Sequence, residues 1–422
     1  MARPAALVAA SGLDGLFAAR VRFGVGAALG ELRGTVVFDI AVGGTWTLHI
    51  DEGRVGLRRG PVRRPSATIR TDPQTMAAIL DGETSGAQAF LDGRLTTRGD
   101  IALALQVDGA FDVGERPASY PRARTVRLNG VRTGYLEAGP RDAPPVLLLH
   151  GLGATNASML PLLPALADAY RVIVPDTPGF GSSDAPRWRY TMRELAGWLT
   201  EFSAAIGATR PALVGNSLGG RIAIEAGLTA PDALDRLVLL CPSPAFRRLR
   251  QLVPAVRLIN PDIGWLPIWL SHRLVVEFTR MMFSRPDRLP REWYDAAADE
   301  FRHVMSRPAH RRAFVACLRQ IYIEQAYGGD GFWDRLTALD VPALFVWGER
   351  DRLVPAGFAR FVSAAVPAAR SVVLPDCGHV PQYEFPDETG ALVREFLDAS
   401  DGAVRGAGRR RSARRVGASR AG

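Results

Sequence analysis

The chain is 422 residues long, 47% hydrophobic and 23% charged, a composition typical of a globular protein with room for two or three domains. This composition excludes wholesale disorder, a collagen-like repeat and a disulfide-rich scaffold. All 52 basic residues are arginine, and the formal net charge is +9. Most of that excess lies between Gly402 and Gly422, where arginine recurs and no acidic residue occurs. We expect residues 400–422 to form a disordered, solubilising tail; weak contact with an acidic membrane surface is the alternative.

Three widely spaced cysteines, Cys241, Cys317 and Cys377, form no CxxC pair. An odd number at such spacing predicts a reducing compartment and no metal knuckle. No apolar run approaches the roughly 18 residues that a membrane-spanning helix needs. We therefore expect a cytoplasmic protein.

The chain divides into three parts and a linker. An N-terminal module occupies residues 1–111, a larger domain residues 122–399, and the basic tail the remainder. Residues 112–121 (DVGERPASYP) combine proline, glycine and charge, as linkers do.

The N-terminal module reads as α+β. Two alternating strands, Thr35–Val42 and Thr45–Asp51, flank Gly43-Gly44, a pair suited to a two-residue hairpin turn. Asp72-Pro73 predicts a helix start, and Gly82 its end. The remaining predicted elements are a helix at residues 87–92, a strand at residues 95–98 and a last helix capped by Asp100.

This order, with the segments EGRVGLRRG, ATIRTD and LDGETSGAQAFLDGRLTTRGDIALALQ, resembles the sterol-carrier-protein-2-like domain over residues 20–110. Members of that family fold a small sheet and helices around an apolar tunnel for lipids. The resemblance implies lipid binding and no catalytic residue. A scaffold with a filled core is the alternative.

The larger domain alternates strands and helices. Asn129-Gly130 predicts a hairpin between strands at residues 124–127 and 133–137. Continuous apolar strands then follow at residues 146–149, 172–174, 212–214, 237–240, 343–346 and 372–374. Continuous apolar runs are typical of strands buried on both faces, so we predict an α/β fold with a mostly parallel sheet covered by helices.

A G-x-S-x-G motif, Gly215 to Gly219, follows one of these strands and precedes a helix. Glycines allow a tight turn that lifts the Ser217 hydroxyl above the sheet, and the amide of Leu218 lies at a helix N-terminus, where it can donate to an oxyanion. This context predicts that Ser217 is a nucleophile.

A serine nucleophile needs a base and an acid that orients the base. His379 follows the last predicted strand, and Asp351 follows the strand before it. The order Ser217, Asp351, His379 matches the hydrolase order. Glu349 is the rival acid, but Asp351 lies farther beyond the strand end, toward the edge where sites form.

His150 closes the first long apolar strand, in LLLHGLG. Such a histidine supports the loop, and the Leu152 amide is the expected second oxyanion donor. We also place His150, Gly151 and Asn216 around the substrate.

Five motifs in order, LLLHGLG, PDTPGFGSSD, LVGNSLGG, VWGERDRLVP and CGHVPQYEFPDE, identify residues 124–396 as similar to the α/β-hydrolase fold. A serine nucleophile argues against haloalkane dehalogenases and epoxide hydrolases, which use aspartate there. Meta-cleavage carbon–carbon hydrolases tend to carry an aromatic residue after the catalytic histidine, where this chain has Val380.

The family carries its cap where this chain has an insertion at about residues 243–335, rich in large apolar side chains. We expect Trp265 and Trp269 to line an apolar substrate channel there. Packing of the cap onto the sheet is the alternative role for such residues.

These observations predict a serine hydrolase of apolar or lipid-like esters that needs no cofactor and no metal. The expected partner is an apolar small molecule or lipid, and no specific nucleic acid. Three alternatives remain: a carbon–carbon hydrolase of the meta-cleavage type, a non-enzymatic lipid carrier, and an acyltransferase.

Overall fold

A computed structural model of the chain describes residues 10–21, 33–112, 118–245, 258–266 and 270–399. The predicted tail, much of the predicted linker, and Trp269 lie outside the described residues. Within the described ranges, none of the helices has the length and apolar character required to cross a bilayer.

The N-terminal module is a small sheet flanked by helices. Its sheet has the order β3-β2-β1-β4-β5, in which β1 and β4 are parallel and the other neighbours antiparallel. Its elements in chain order are α1 Ala10–Arg20, β1 Arg33–Ile40, β2 Gly44–Asp51, β3 Arg54–Arg59, β4 Ala67–Thr71, α2 Pro73–Leu80, α3 Gly86–Leu91, β5 Leu95–Gly99 and α4 Ile101–Gln106.

Side-chain caps begin the short helices of this module, as predicted. Asp72 accepts a hydrogen bond from the Thr75 amide at 2.8 Å and begins α2, which has proline at its first position. Asp100 accepts from the Leu103 amide at 2.9 Å and begins α4. Because each cap satisfies an amide that a helix leaves unpaired, these starts are readable from sequence.

The hairpin between β1 and β2 differs from the prediction. Ile40 pairs with Gly44, so the turn has three residues, 41–43, and not the two glycines. Val42 takes the left-handed conformation at the tip, with φ 60°. Gly43 lies so close to Ile40 that a Cβ there would be 2.7 Å from its side chain. The glycines therefore allow a close approach at the end of a three-residue turn.

The larger domain is built on a sheet of order β13-β12-β11-β10-β8-β9-β7-β6. Strands β8 to β13 pair in parallel, whereas β6-β7 and β7-β9 are antiparallel, so the predicted mostly parallel sheet is confirmed. The strands are β6 Arg122–Leu128, β7 Val131–Ala138, β8 Pro145–Leu149, β9 Arg171–Pro175, β10 Ala212–Asn216, β11 Leu237–Leu240, β12 Ala343–Gly348 and β13 Arg370–Leu374.

Helices cover both faces of this sheet. They are α5 Leu163–Leu166, α6 Met192–Ala205, α7 Leu218–Thr229, α12 Ala359–Ala365, α13 Pro381–Glu384 and α14 Pro386–Asp398, and a 3-10 turn spans Asn156–Leu162. The central strands β8, β10, β11 and β12 are buried nearly throughout, which explains their continuous apolar sequences. Because β8, β10, β11, β12 and β13 run parallel, their carboxyl ends lie at one edge of the sheet. The loops at that edge bring together side chains from distant parts of the chain.

Between β11 and β12 lies the cap segment, described over residues 258–266 and 270–336. It contains the 3-10 turn Pro261–Trp265 and the helices α8 His272–Met281, α9 Arg291–Ser306, α10 Pro308–Ile323 and α11 Phe332–Leu336. Its own small core includes Val275, Val276, Phe283, Tyr294 and Ala298. Much of the apolar content of the cap segment therefore packs the segment itself.

Candidate active site

Ser217 lies between β10 and α7 in a conformation that is strained for a residue with a side chain. Its φ is 52° and its ψ is −111°. The Ser217 amide donates to the Leu240 carbonyl at 3.0 Å, and the Ser217 carbonyl accepts from the amides of Arg221 and Ser243, each at 3.0 Å. The surrounding backbone thus holds the strained turn in place.

The glycines of the motif are required by close backbone approach. A Cβ on Gly215 would lie 2.4 Å from the backbone carbon of Gly219, and one on Gly219 would lie 2.2 Å from the Leu149 oxygen. Neither contact can be relieved by a side-chain rotation, because both involve main-chain atoms. The close approach of β8 and of the turn's own backbone therefore requires glycine at both positions.

His379 and Asp351 form a buried pair on the loops after β13 and β12. The His379 Nδ1 lies 2.7 Å from the Asp351 Oδ2, and the two residues are 4% and 5% exposed. The other oxygen of Asp351 accepts from the amides of Leu353 and Val354, each at 2.8 Å. These bonds fix the carboxylate, which in turn orients the imidazole and leaves Nε2 as the nitrogen that can accept a proton.

The rival acid, Glu349, faces elsewhere. It is exposed, and its carboxylate accepts from the Asp376 amide at 3.2 Å. Of the two acids weighed from sequence, Asp351 is therefore the one that the fold pairs with His379.

Asn216 joins the serine turn to the histidine loop. Its side-chain amide donates to the carbonyl oxygens of Leu240 and His379, both at 3.1 Å. The His379 amide donates to the Met282 carbonyl of the cap segment at 2.7 Å. Since its donor group is used within the protein, Asn216 serves to hold the site together, and the expectation that this group binds substrate is not supported.

The two expected oxyanion donors belong to the turn after β10 and to the loop after β8. Leu218 is the first residue of α7, so its amide has no carbonyl partner one turn earlier in that helix. The loop carrying Leu152 approaches from β8, and a Cβ on Gly151 would lie only 3.5 Å from the Ser217 Cβ. Gly153 has φ 75° and packs beneath Phe301 of α9.

His150 supports this loop from below and does not reach the substrate side. The Thr177 amide donates to its Nε2 at 3.0 Å, so Nδ1 carries the hydrogen that the Gly151 carbonyl accepts at 2.8 Å. Burial lowers the pKa of the His150 imidazole, against the opposing charge of Asp176. His150 is fully buried with both nitrogens occupied, so its assignment as a substrate-binding residue is wrong.

The expectation for Trp265 is also corrected. The ring is 51% exposed at the end of the 3-10 turn, and the Arg187 guanidinium lies 5.6 Å from its centroid. Apolar character alone did not indicate which way the side chain faces, and the ring lies at the surface of the cap segment. Trp269 lies outside the described residues.

Cys241 is a neighbour of the site that the sequence argument missed. Its thiol and one ligand atom each of Asp351 and His379 lie within 4.8 Å of one another. Burial, and next the Asp351 charge, raise the pKa of the Cys241 thiol well above its usual value. The position right after β11 was the available signal, because that strand ends beside β12.

Comparisons with known proteins agree with this architecture. A family model described as alpha/beta hydrolase fold matches residues 144–386, and one described as SCP-2 sterol transfer family matches residues 22–112. The chain is similar to 2-hydroxy-6-oxo-6-(2'-aminophenyl)hexa-2,4-dienoic acid hydrolase of Metapseudomonas resinovorans, with 30% identity over 68% of this chain and 95% of that protein.

Two further similar proteins have names that describe other activities. Pimeloyl-[acyl-carrier protein] methyl ester esterase of Aeromonas hydrophila is 30% identical over 61% of this chain and 96% of its own length. A crystal structure of a membrane phospholipase A is 28% identical with a TM-score of 0.55, over 68% of this chain and 88% of that one. The chain therefore belongs to the alpha/beta hydrolase fold family, with an SCP-2 sterol transfer family domain ahead of the hydrolase domain.

Proposed function

We propose that this protein is a serine hydrolase that cleaves an apolar or lipid-like carboxylic ester through an acyl-enzyme. The observation that carries the proposal is the buried His379–Asp351 pair, 2.7 Å between Nδ1 and Oδ2, on loops beside the strained Ser217 turn. Strained backbone of the kind seen at Ser217 clusters at active sites, which supports the proposal.

In the proposed reaction, the Ser217 oxygen attacks the ester carbonyl carbon while the His379 Nε2 takes the hydroxyl proton. The Asp351 carboxylate stabilises the resulting imidazolium. The amides of Leu218 and Leu152 donate to the oxyanion that forms on the carbonyl oxygen. His379 then returns the proton to the leaving alcohol as the carbon–oxygen bond breaks, and water releases the acyl group by the same steps.

A carbon–carbon hydrolase is the second candidate function. It is favoured by the 30% identity to the Metapseudomonas resinovorans hydrolase, whose name describes a hexadienoic acid substrate. The residue after His379 is Val380, which packs against the small core of the cap segment. The identity to the Aeromonas hydrophila esterase is also 30%, so the sequence identities favour the ester and the carbon–carbon reaction equally.

Substrate assays distinguish the ester hydrolase from the carbon–carbon hydrolase. We expect p-nitrophenyl esters to be hydrolysed, with kcat/KM rising with acyl length, and turnover to fall by at least about 10⁴-fold in Ser217→Ala. Activity on a vinylogous diketo acid with none on esters would establish the carbon–carbon reaction instead. Product formation from an added alcohol in preference to water would identify an acyltransferase. A folded protein inactive in all three assays would favour the lipid carrier.

A further inference from the structure

The N-terminal module lies directly against the cap segment. Its edge strand β5 packs along α9, so that a helix covers an edge that would otherwise expose unpaired backbone. Arg98, on β5, lies 3.6 Å from the Asp299 carboxylate and 4.0 Å from that of Asp295. Asp100, just after β5, lies 3.3 Å from the His303 Nε2. The interface is therefore lined by complementary charges on both sides.

Two neighbouring residues of α9 contact the loop that follows β8. The Glu300 carboxyl accepts a hydrogen bond from the Thr155 hydroxyl at 2.7 Å. The Phe301 ring covers Gly153 so closely that a Cβ there would be 2.8 Å from a ring carbon. Gly153 and Thr155 follow Leu152 by one and three positions, so α9 contacts the module and the oxyanion loop at the same level of the helix.

Side chains of the described residues pack closely in the interior of the N-terminal module. The Phe17 ring lies 5.0 Å from that of Trp46 and 5.4 Å from that of Phe38, centroid to centroid. Among the described residues, the cavity beside Phe38, Met76 and others measures about 10 Å³, room for about one water. Pockets that enclose a drug-sized ligand measure roughly 300–1,000 Å³. In this conformation the module has a packed interior, and it contacts α9 through its outer surface.

We propose that the N-terminal module is a positioning element of the hydrolase: by holding α9 it holds Glu300 on Thr155, and so sets the oxyanion loop that carries the Leu152 amide. Glu300 is accordingly a positioning residue, since it acts through Thr155 and does not touch the reacting atoms. The inference rests on the proposed function for the role of Leu152, but the coupling of the module to the loop is independent of which substrate is cleaved.

The environment of Glu300 makes the charge of its carboxyl depend on pH near neutrality. Burial raises the pKa of its carboxyl to about 8, the Thr155 hydrogen bond opposes this, and the carboxylates of Asp176 and Asp100 add to the rise. The groups that face it are the hydroxyls of Thr155 and Tyr383, those two carboxylates and, behind Asp100, the His303 imidazole and the Arg307 guanidinium. At neutral pH the Glu300 carboxyl is uncharged and fits beside these acids. Above about pH 8 it ionises, so that a third negative charge lies beside Asp176 and Asp100 while the Thr155 hydroxyl still donates to it.

Two variants of the full chain test the proposal at its two contacts. The double substitution Arg98→Glu with His303→Glu sets carboxylates against carboxylates at the interface of the module with α9. Glu300→Ala removes the contact of α9 with the loop. The matched control, Arg54→Glu with Arg58→Glu, changes two exposed arginines on β3, the opposite edge of the module sheet. Glu300→Gln keeps a neutral acceptor for Thr155 and is the conservative rescue.

The first readout is hydrogen exchange of the backbone amides of residues 151–156, which requires no substrate. We expect exchange there to become about 10-fold faster or more in the double variant and in Glu300→Ala, and to stay at the wild-type rate in the control and in Glu300→Gln. If the loop exchanges at the wild-type rate in both test variants, the proposal is wrong, whether or not an ester is turned over.

The second readout is ester turnover. We expect kcat to fall by about 10- to 100-fold in Glu300→Ala with a smaller change in KM, less than removal of a whole oxyanion donor. Glu300→Gln, which keeps an acceptor for the Thr155 hydroxyl, should retain kcat near the wild-type value. Loss of loop protection with unchanged kcat would overturn the positioning role while leaving the proposed hydrolase intact.

Discussion

Arg221 anchors the helix that begins at the serine turn, and replacing it should destabilise the protein strongly. It is 1% exposed on α7, and its guanidinium donates to Glu324 at 3.1 Å and to Glu225 at 3.4 Å. The same group lies 4.2 Å from the ring centroid of Phe332. Glu225 is fully buried and also accepts two hydrogen bonds from Arg335, at 2.8 and 3.0 Å. The network joins α7 to the end of the cap segment.

We predict that Arg221→Met lowers the free energy of unfolding by about 3–5 kcal/mol, because removing one partner of a buried ion pair leaves the other charge uncompensated. Arg335 still faces Glu225, so the loss should lie toward the lower end of that range. The measurement is urea-induced unfolding followed by tryptophan fluorescence, with the midpoint and slope compared with wild type.

Arg193→Met is the matched control in the same network. Arg193 lies 3.6 Å from Glu225 but is 66% exposed, so solvent screens its charge. We expect this substitution to cost less than about 1 kcal/mol. Equal unfolding midpoints for the two variants, or an Arg221→Met protein as stable as wild type, would contradict this prediction. Either result would mean that burial does not determine how much these arginines contribute to stability.

Three further predictions concern the site and its support. Asp351→Asn should lower kcat by about 10²- to 10⁴-fold in an ester assay with a near-native unfolding midpoint, because the imidazole loses its orienting charge; a variant as active as wild type would contradict this. Asn216→Ala should cost about 1–3 kcal/mol in urea unfolding and lower kcat more than it changes KM, since two buried carbonyls lose their donor; unchanged stability would contradict it. Burial alone would raise the pKa of Glu225, but Arg335 and its neighbours hold that pKa below the usual value. The contribution of this ion pair to the free energy of unfolding is therefore complete above about pH 4.5, the pKa of Glu225 in the unfolded chain. It is lost as the pH falls through the lower pKa of Glu225 in the folded protein. The gap in unfolding midpoint between wild type and Arg335→Met should narrow as pH falls from 7 to 3; a constant gap would contradict the assignment.

Local signals in the sequence predicted much of the framework. Apolar runs located the buried strands because a strand covered on both faces has few polar positions. Asp72 and Asp100 located helix starts because capping needs only a short side chain next to the helix. The order of Ser217, Asp351 and His379 could be read because each follows a strand whose end lies at the same edge of the sheet.

What the sequence did not predict depends on tertiary contact or on side-chain direction. The turn after β1 was assigned to two glycines, yet Val42 takes the left-handed position, and no propensity favours valine there. Trp265 was expected in a channel, but hydrophobicity does not tell the inside of a cap from its surface. Cys241 and Glu300 are far from their partners along the chain, so their roles appear only after the strands and the cap segment are assembled.

The most direct test of the central claim is the covalent reaction of the folded protein with a fluorophosphonate probe, followed by intact mass and peptide mapping. We predict that the wild-type chain takes up one phosphonyl group at Ser217 as fluoride leaves, and that Ser217→Ala takes up none. Reaction should also slow in Asp351→Asn, because His379 then accepts the proton less readily. A wild-type protein that stays unlabelled, or label that persists in Ser217→Ala, would contradict the assignment of Ser217 as the nucleophile.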